Sequence, residues 1–285
     1  MILVNGKKVE IEYFPNRESK VKEFEAMTKN NVVELFYEDD RDLIHLWFVK
    51  LEINNIQKHI LTSEIFNRLI IWYMPYSRMD RKIKGDLYTL SYTCAFINAL
   101  FFNRVFVIDP HSGKNYLGEA TIDRAKAIYP IPSWLPQIIN ETGFDKNKDC
   151  LVFPDKGALL RYHDYFKHGL LNTCYFVKER NETTGKIEKM ELAEPLPEYA
   201  KKAIIIDDIC SYGGTFIKAG DLLKEKGIKD ITLVVTHLEN SVFSGNLLLN
   251  SSPIDRIYTS NSMIRAEVPT SKIKVLPVNL DDYLK

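Results

Sequence analysis

The chain has 285 residues, 45% hydrophobic and 27% charged, and its 38 basic residues balance 38 acidic ones. That length supports one large or two medium domains with a substantial core. Zero net charge argues against a nucleic-acid partner and against an acidic solvating tail, so clusters such as Arg78, Arg81, Lys82 and Lys84 need a local explanation. The opening MILVNGKKVEIEYF lacks the pattern of a signal peptide, and no apolar stretch approaches the ~18 residues of a membrane span. Cys94, Cys150, Cys174 and Cys210 show no CxxC spacing. They read as reduced thiols near the core of a cytoplasmic protein, not as a disulfide framework or zinc site.

In chain order, IWYM (71–74) reads as a buried strand closed by Pro75. Asp86 stands where an N-cap belongs, ahead of Leu87, Leu90, Cys94, Ile97 and Phe101 at helical spacing. VFVI (105–108) is a second apolar strand, running into Asp109-Pro110. The prolines of IYPIPSWLPQ (128–137) suggest a connection between two halves. LVF (151–153), CYFV (174–177) and AIII (203–206) are further strands, ending at Pro154-Asp155, Lys178 and Asp207. Positions 181–200 carry NETTGK and PLP and have the composition of a hairpin or flap. A helix from about Thr215 to Lys226 stops at Gly227, and ITLVV (231–235) leads into Thr236-His237.

Alternation of helices with nearly continuous apolar strands indicates an α/β fold with mostly parallel sheets covered on both faces. Ligands in such sheets bind outside the carboxyl ends of the strands. Arg78, His111, Asp155, Lys178, Asp207 and Asp208 all fall at those ends.

The stretch AIIIDDICSYGGTF (203–216) is the most informative. Gly213-Gly214 before a helix start let backbone N–H groups close on a phosphate, and Thr215 adds a hydroxyl. Two carboxylates beside a phosphate repel it unless they have another partner, and the vicinal hydroxyls of a ribose are the natural one. The plainer reading is a helix N-terminus with ordinary acidic caps.

IIIDDICSYGGTF resembles the ribose-phosphate loop shared by type I phosphoribosyltransferases and phosphoribosyl pyrophosphate (PRPP) synthetases. Further stretches resemble the synthetases alone: MPYSRMDR (74–81), VIDPHSG (107–113), FPDKGALLR (153–161), KER (178–180), VVTHLENSVFSGN (234–246) and IDRIYTSNS (254–262). They occur in family order over residues 70–265. The chain is therefore similar to the ribose-phosphate diphosphokinase family.

The resemblance implies two type I phosphoribosyltransferase-like domains: 1–140 on the ATP side, and 141–285 on the ribose-phosphate side with a flap at 178–200. It implies transfer of the β,γ-diphosphoryl group of MgATP to the anomeric hydroxyl of a 5-phosphorylated ribose, releasing AMP. Lys178, Arg180 and His111 are the implied catalytic residues, and His111 and Asp155 the implied Mg2+ contacts. Asp207, Asp208, Ser211, Tyr212, Gly213, Gly214 and Thr215 would bind ribose phosphate. Arg78, Asp80, Phe36 and Asp39 (or Asp40) would bind ATP, although LFYEDDRD (35–42) matches the family's ATP loop poorly. His237 would lie near the ribose. Homo-oligomers, dimers or higher, are the family habit.

Two stretches depart from the family. Met79 stands where a glutamine is usual, and Ser211 and Tyr212 replace an acid and a threonine at the phosphate end of the loop. A phenol ring offers little to a phosphate monoester but can stack on a base beyond a phosphate diester. Phage-borne relatives act on ADP-ribose during NAD synthesis, so ADP-ribose is the expected acceptor, ribose 5-phosphate the alternative, and a host cytoplasm the location of a phage-encoded member. A PRPP-consuming phosphoribosyltransferase would leave His111, Asp155 and Lys178 unexplained, and a non-catalytic regulator would be expected to have lost them.

Overall fold

The computed structural model describes all residues except 83–84, 112–119, 167–170, 181–186, 265–267, 269 and 285. The chain divides into two compact units, Met1–Tyr129 and Pro130–Lys285. The division falls at the start of the proline-rich segment, against an expected boundary at 140.

The first unit contains β1 (Ile2–Val4), β2 (Lys7–Lys8), β3 (Ile11–Tyr13), β4 (Ser19–Val21), β5 (Asn30–Leu35), α1 (Arg41–Gln57), β6 (Phe66–Ile71), α2 (Thr89–Ala99), β7 (Arg104–Ile108) and β8 (Ala125–Ile128). Its main sheet has the order β2-β1-β5-β6-β7-β8. β5 to β8 run parallel, while β1 is antiparallel to β5 and to β2. Val33, Leu35, Leu69, Ile71, Val105 and Val107 from the parallel strands join Leu46, Val49 and Ile53 of α1 and Cys94 and Ile97 of α2 in one core.

The second unit contains α3 (Ile131–Thr142), β9 (Cys150–Phe153), α4 (Lys156–Phe166), β10 (Asn172–Arg180), β11 (Ile187–Leu192), β12 (Lys202–Cys210), α5 (Gly214–Glu225), β13 (Asp230–Leu238), β14 (Arg256–Thr259) and β15 (Ile273–Val275). Its sheet order is β11-β10-β9-β12-β13-β14-β15. All neighbours are parallel except β10 and β11, which pair antiparallel. From β9 the chain moves to β10 on one side, and β12 enters on the other. The space between β9 and β12 is therefore the topological switch point, where open α/β sheets bind ligands.

Several local expectations change. β6 ends at Ile71, so Trp72, Tyr73 and Met74 are buried loop residues and not strand. α2 begins at Thr89 after an N-cap at Tyr88, with no side-chain cap from Asp86. The proline-rich stretch is mostly helix. Proline is tolerated in a first turn, where its missing N–H costs nothing, and Ile131, Trp134, Leu135 and Ile138 recur on one buried face of α3. Trp134 Nε1 also donates to Pro277 O at 2.8 Å, tying down the C-terminal segment. The four cysteines are free and buried, and burial pushes the Cys94 and Cys150 thiols up to about 11 and about 12.

Candidate active site

In the second unit the polar residues gather at the switch point. β9 pairs with β12 only through Ala203, Ile204 and Ile205, whereas β13 accompanies β12 as far as Cys210. From Ile206 onward one edge of β12 is open. Asp207 and Asp208 thus lie within the strand, not just after it. Successive strand residues face opposite ways, and the burial follows: Asp207 keeps 18% side-chain exposure and Asp208 only 2%.

Arg161 fills the open edge. It projects from α4, its side chain is 8% exposed, and Nη1 contacts Asp208 Oδ1 and, at 3.4 Å, Asp207 Oδ1. Asp207 Oδ1 also accepts the Asp208 N–H at 2.9 Å. Asp208 is thereby paired inside the protein, and Asp207 is the more open of the two carboxylates. Burial, then the neighbouring Asp208 carboxylate, push the Asp207 carboxyl well above the usual carboxylate range, with Arg161 acting in the other direction.

Asp155 begins α4. Its Oδ1 accepts the Ala158 N–H at 2.9 Å, capping the helix, and its Oδ2 pairs with Lys178 Nζ at 3.0 Å. Burial works against ionisation, but the Ala158 N–H and the Lys178 charge outweigh it and hold the Asp155 carboxyl below its ordinary value. Lys178 is 9% exposed and lies within β10, two residues from the strand's end at Arg180, whose side chain is outside the described residues.

The loop after β12 is built for close approach. Gly213 has φ +83°, and a Cβ there would meet the Leu247 side chain at 2.8 Å. It precedes α5, whose N-terminus has no side-chain cap, so its first N–H groups can serve a ligand anion. Gly214 opens onto free space and Thr215 is half-buried. Gly245 braces the loop from the other side, since a Cβ on it would run into the Tyr212 carbonyl oxygen. The Tyr212 side chain itself is 62% exposed. Ser211 is half-buried. His237 is buried on β13, with Nδ1 2.8 Å from Ser262 Oγ, and Ser260 and Ser262 both reach the Thr236 carbonyl.

In the first unit the candidate residues stand at the carboxyl ends of β5, β6 and β7. Phe36 is buried and its ring stacks on Trp72, centroids 4.8 Å apart. Its ring is packed and mostly covered. Asp39 pairs with Arg41, which holds its carboxyl below the ordinary value. Asp40 accepts the hydroxyls of Tyr37 and Tyr76. Tyr76 and Asp109 have φ of +60° and +36°, strained positions for residues with side chains, and both lie in the segments that carry Arg78 and His111. Arg78 is exposed, while Asp80 and His111 are half-buried.

Among the described residues, no group of three or more His, Cys, Asp or Glu side chains is arranged to hold a metal ion. Arg161 and Gly245 are the two site residues to which sequence reasoning gave no role. Arg161 was legible as the last residue of FPDKGALLR; Gly245 carried no such signal.

The phosphoribosyl transferase domain family matches residues 122–242. A ribose-phosphate pyrophosphokinase of Sulfolobus acidocaldarius is 29% identical over 282 residues, covering 95% of this chain and 89% of the relative. One from Pyrococcus furiosus is 29% identical over 274 residues, covering 94% and 90%. A crystal structure of phosphoribosylpyrophosphate synthetase from Mycobacterium smegmatis shares the fold at a TM-score of 0.73 and 18% identity, covering 94% of this chain and 85% of that one. Over nearly its whole length the chain is similar to ribose-phosphate pyrophosphokinases, and its two mostly parallel sheets flanked by helices share the fold of the solved synthetase. It is an enzyme of the diphosphotransferase type.

The Asp207 carboxyl makes a testable link between site and stability. Its pKa is raised on folding, so the folded state favours its protonated form, and the ionised group is a burden that grows as pH rises through the folded pKa. Asp207→Asn is expected to raise Tm at neutral pH, with the gain vanishing as pH falls below ~3.9, the ordinary aspartate value. Melting curves across pH check this; a gain that persists in acid contradicts it.

Proposed function

We propose that this enzyme transfers the β,γ-diphosphoryl group of ATP to the anomeric hydroxyl of a 5-phosphorylated ribose, releasing AMP. The observation that carries the reading is Asp207, the ligand-facing carboxylate, beside the uncapped N-terminus of α5 at the switch point of the second sheet. The N–H groups of that turn suit the 5-phosphate, with Thr215 and Ser211 adding hydroxyls, and Asp207 suits the ribose diol. In the reaction the anomeric oxygen forms a bond to the β-phosphorus of ATP. The bond from that phosphorus to the α–β bridging oxygen breaks, AMP takes the electron pair, and the anomeric proton passes to solvent.

Such a transfer depends on positioning and on positive charge at the phosphoryl oxygens. Lys178 is suited to supply that charge, because Asp155 holds its ammonium in place at 3.0 Å. Arg180, at the end of the same strand, is proposed as a second charge. Mg2+ takes few protein ligands and relies on substrate phosphates, so the lack of a multi-carboxylate cluster among the described residues fits it. Asp155, kept ionised and half-exposed, and His111 are each candidate contacts, and the ion supplies charge neutralisation when bound. Arg78, Asp80 and Asp39 are the proposed ATP contacts. Lys178→Ala should fold normally and lose about 10²–10³-fold in kcat, measured as AMP release. Unchanged turnover removes Lys178 from the mechanism.

Tyr212 favours ADP-ribose as the acceptor. With 62% exposure, its ring is open to stack on a base carried beyond the ribose 5-phosphate. AMP release with MgATP and each acceptor separately tests this, in the wild type and in Tyr212→Thr. The expected result is turnover of ADP-ribose, with preference moving toward ribose 5-phosphate in the variant by about tenfold, the worth of one stacking contact. Turnover of ribose 5-phosphate alone, or an unchanged preference, sinks the ADP-ribose assignment.

We also propose self-association through α1. Ile44, Trp47, Phe48 and Leu51 recur at helical spacing and are all exposed, a stripe on the order of a few hundred Å2 that a monomer seldom leaves uncovered. A second copy of the same helix, antiparallel across a two-fold axis, covers it with an identical stripe. In light scattering, Trp47→Glu should shift the protein to a smaller assembly. A wild-type monomer contradicts the proposal. The buried free thiols and the absence of any helix among the described residues able to cross a membrane fit a cytoplasmic setting.

A further inference from the structure

At the other edge of the first sheet, where β6 and β7 begin, a cavity of about 330 Å3 opens between α1 and the strands. Its volume falls in the range of small-molecule sites. Among the residues that line it are Lys50, Asn54, Lys58, Ile65, Phe101 and Asn103, and no aspartate or glutamate is among them.

Lys50 is the unusual member. The residue is 4% exposed. Its Nζ donates to Asn54 Oδ1 and lies 5.3 Å from the centroid of the Phe102 ring. An amide and a ring face leave ammonium donor capacity unspent, and among the described residues no carboxylate answers the charge: burial accounts for the lowered Lys50 pKa. A buried ammonium without a counter-charge is costly, and such a cost is characteristic of a site that awaits a ligand.

The surroundings match a specific chemistry. Gln57 and Asn67, which also line the cavity, satisfy each other through reciprocal amide bonds of 3.1 and 2.8 Å. The Asn54 and Asn103 side chains use their oxygens internally, accepting from Lys50 Nζ and the Asn67 N–H, which leaves their NH2 groups as donors. Lys58 is exposed at the rim. The charges and the spare amide groups of the cavity are therefore all donors. The carboxyl end of α1 adds a weak opposing field, which Lys58 at its C-cap offsets.

Phe101 supplies the apolar side. It follows α2 in the left-handed conformation, φ +53°, where glycine is usual, and its ring is 81% exposed. A strained backbone that holds a large aromatic ring out at the rim of a polar cavity is a feature of binding sites.

We propose that this cavity is a further binding site, at the opposite end of the first sheet's strands from Arg78 and His111, for a small organic anion: a phosphate or carboxylate held by Lys50 and Lys58, with a flat apolar group against Phe101. The inference is independent of the reaction assigned above. Phenyl phosphate is a suitable probe, with phenol and inorganic phosphate as its two halves and benzoate as the carboxylate counterpart. Calorimetric titration of the whole protein should show saturable binding of phenyl phosphate or benzoate, and at least tenfold weaker binding of phenol. Lys50→Met, which keeps the length of the side chain without its charge, should lose at least tenfold in affinity while its own Tm stays level or rises. Lys58→Met and Phe101→Ala change exposed positions and report even if the Lys50 variant does not fold. The first should weaken both anions several-fold, and the second should weaken phenyl phosphate and leave inorganic phosphate alone. Equal affinities in the wild type and these variants, or no binding of either anion, overturn the proposal.

Discussion

The candidate active site depends on how one guanidinium is shared between two adjacent carboxylates. Because β9 stops pairing at Ile205, the edge of β12 that carries Asp207 and Asp208 is open, and Arg161 occupies it from α4. Without that cation, two adjacent carboxylates would stand together, and like charges at such range repel strongly. With it, Asp208 is paired inside the protein and Asp207 is left the more open of the two. Breaking a buried pair of this kind costs about 3–5 kcal/mol, because the surviving charge stays buried and uncompensated. Fold and the proposed ligand chemistry therefore rest on the same contact.

Lys178 and Asp155 repeat the principle one strand further out. Asp155 caps α4 with one oxygen and holds Lys178 with the other. The helix that presents Arg161 to the aspartates is thus started by the residue that positions the lysine. In the first unit the corresponding edge is marked by strain: Tyr76 and Asp109 adopt left-handed backbone conformations where β6 and β7 give way to loops. Strain of this kind persists only where surrounding packing enforces it, and the buried strands on either side provide that packing.

Much of this was legible in the sequence because it follows from short-range physics. The apolar runs at 105–108, 151–153, 174–177, 203–206 and 231–235 lie within observed strands, since a parallel sheet covered on both faces needs continuous apolar strands. Gly213 and Gly227, both at positive φ, mark the start and stop of α5 as their backbone freedom requires. What escaped depended on distant partners. The prolines at 130, 132 and 136 look like a linker until Trp134 and Ile138 find a core to face. The division of labour between Asp207 and Asp208 is set by where β9 ends, which the letters DD do not encode. The stacking of Phe36 on Trp72 is likewise a contact between residues far apart in sequence.

Gly245 separates two properties that a binding loop usually couples. It fixes the height of the loop by admitting the Tyr212 carbonyl, so the loop backbone is held by main-chain packing, and the side chain at 212 stands outside that packing. The residue at this position can change without disturbing the cradle below it. The backbone shape of such a loop and the chemistry it presents outward can therefore evolve separately.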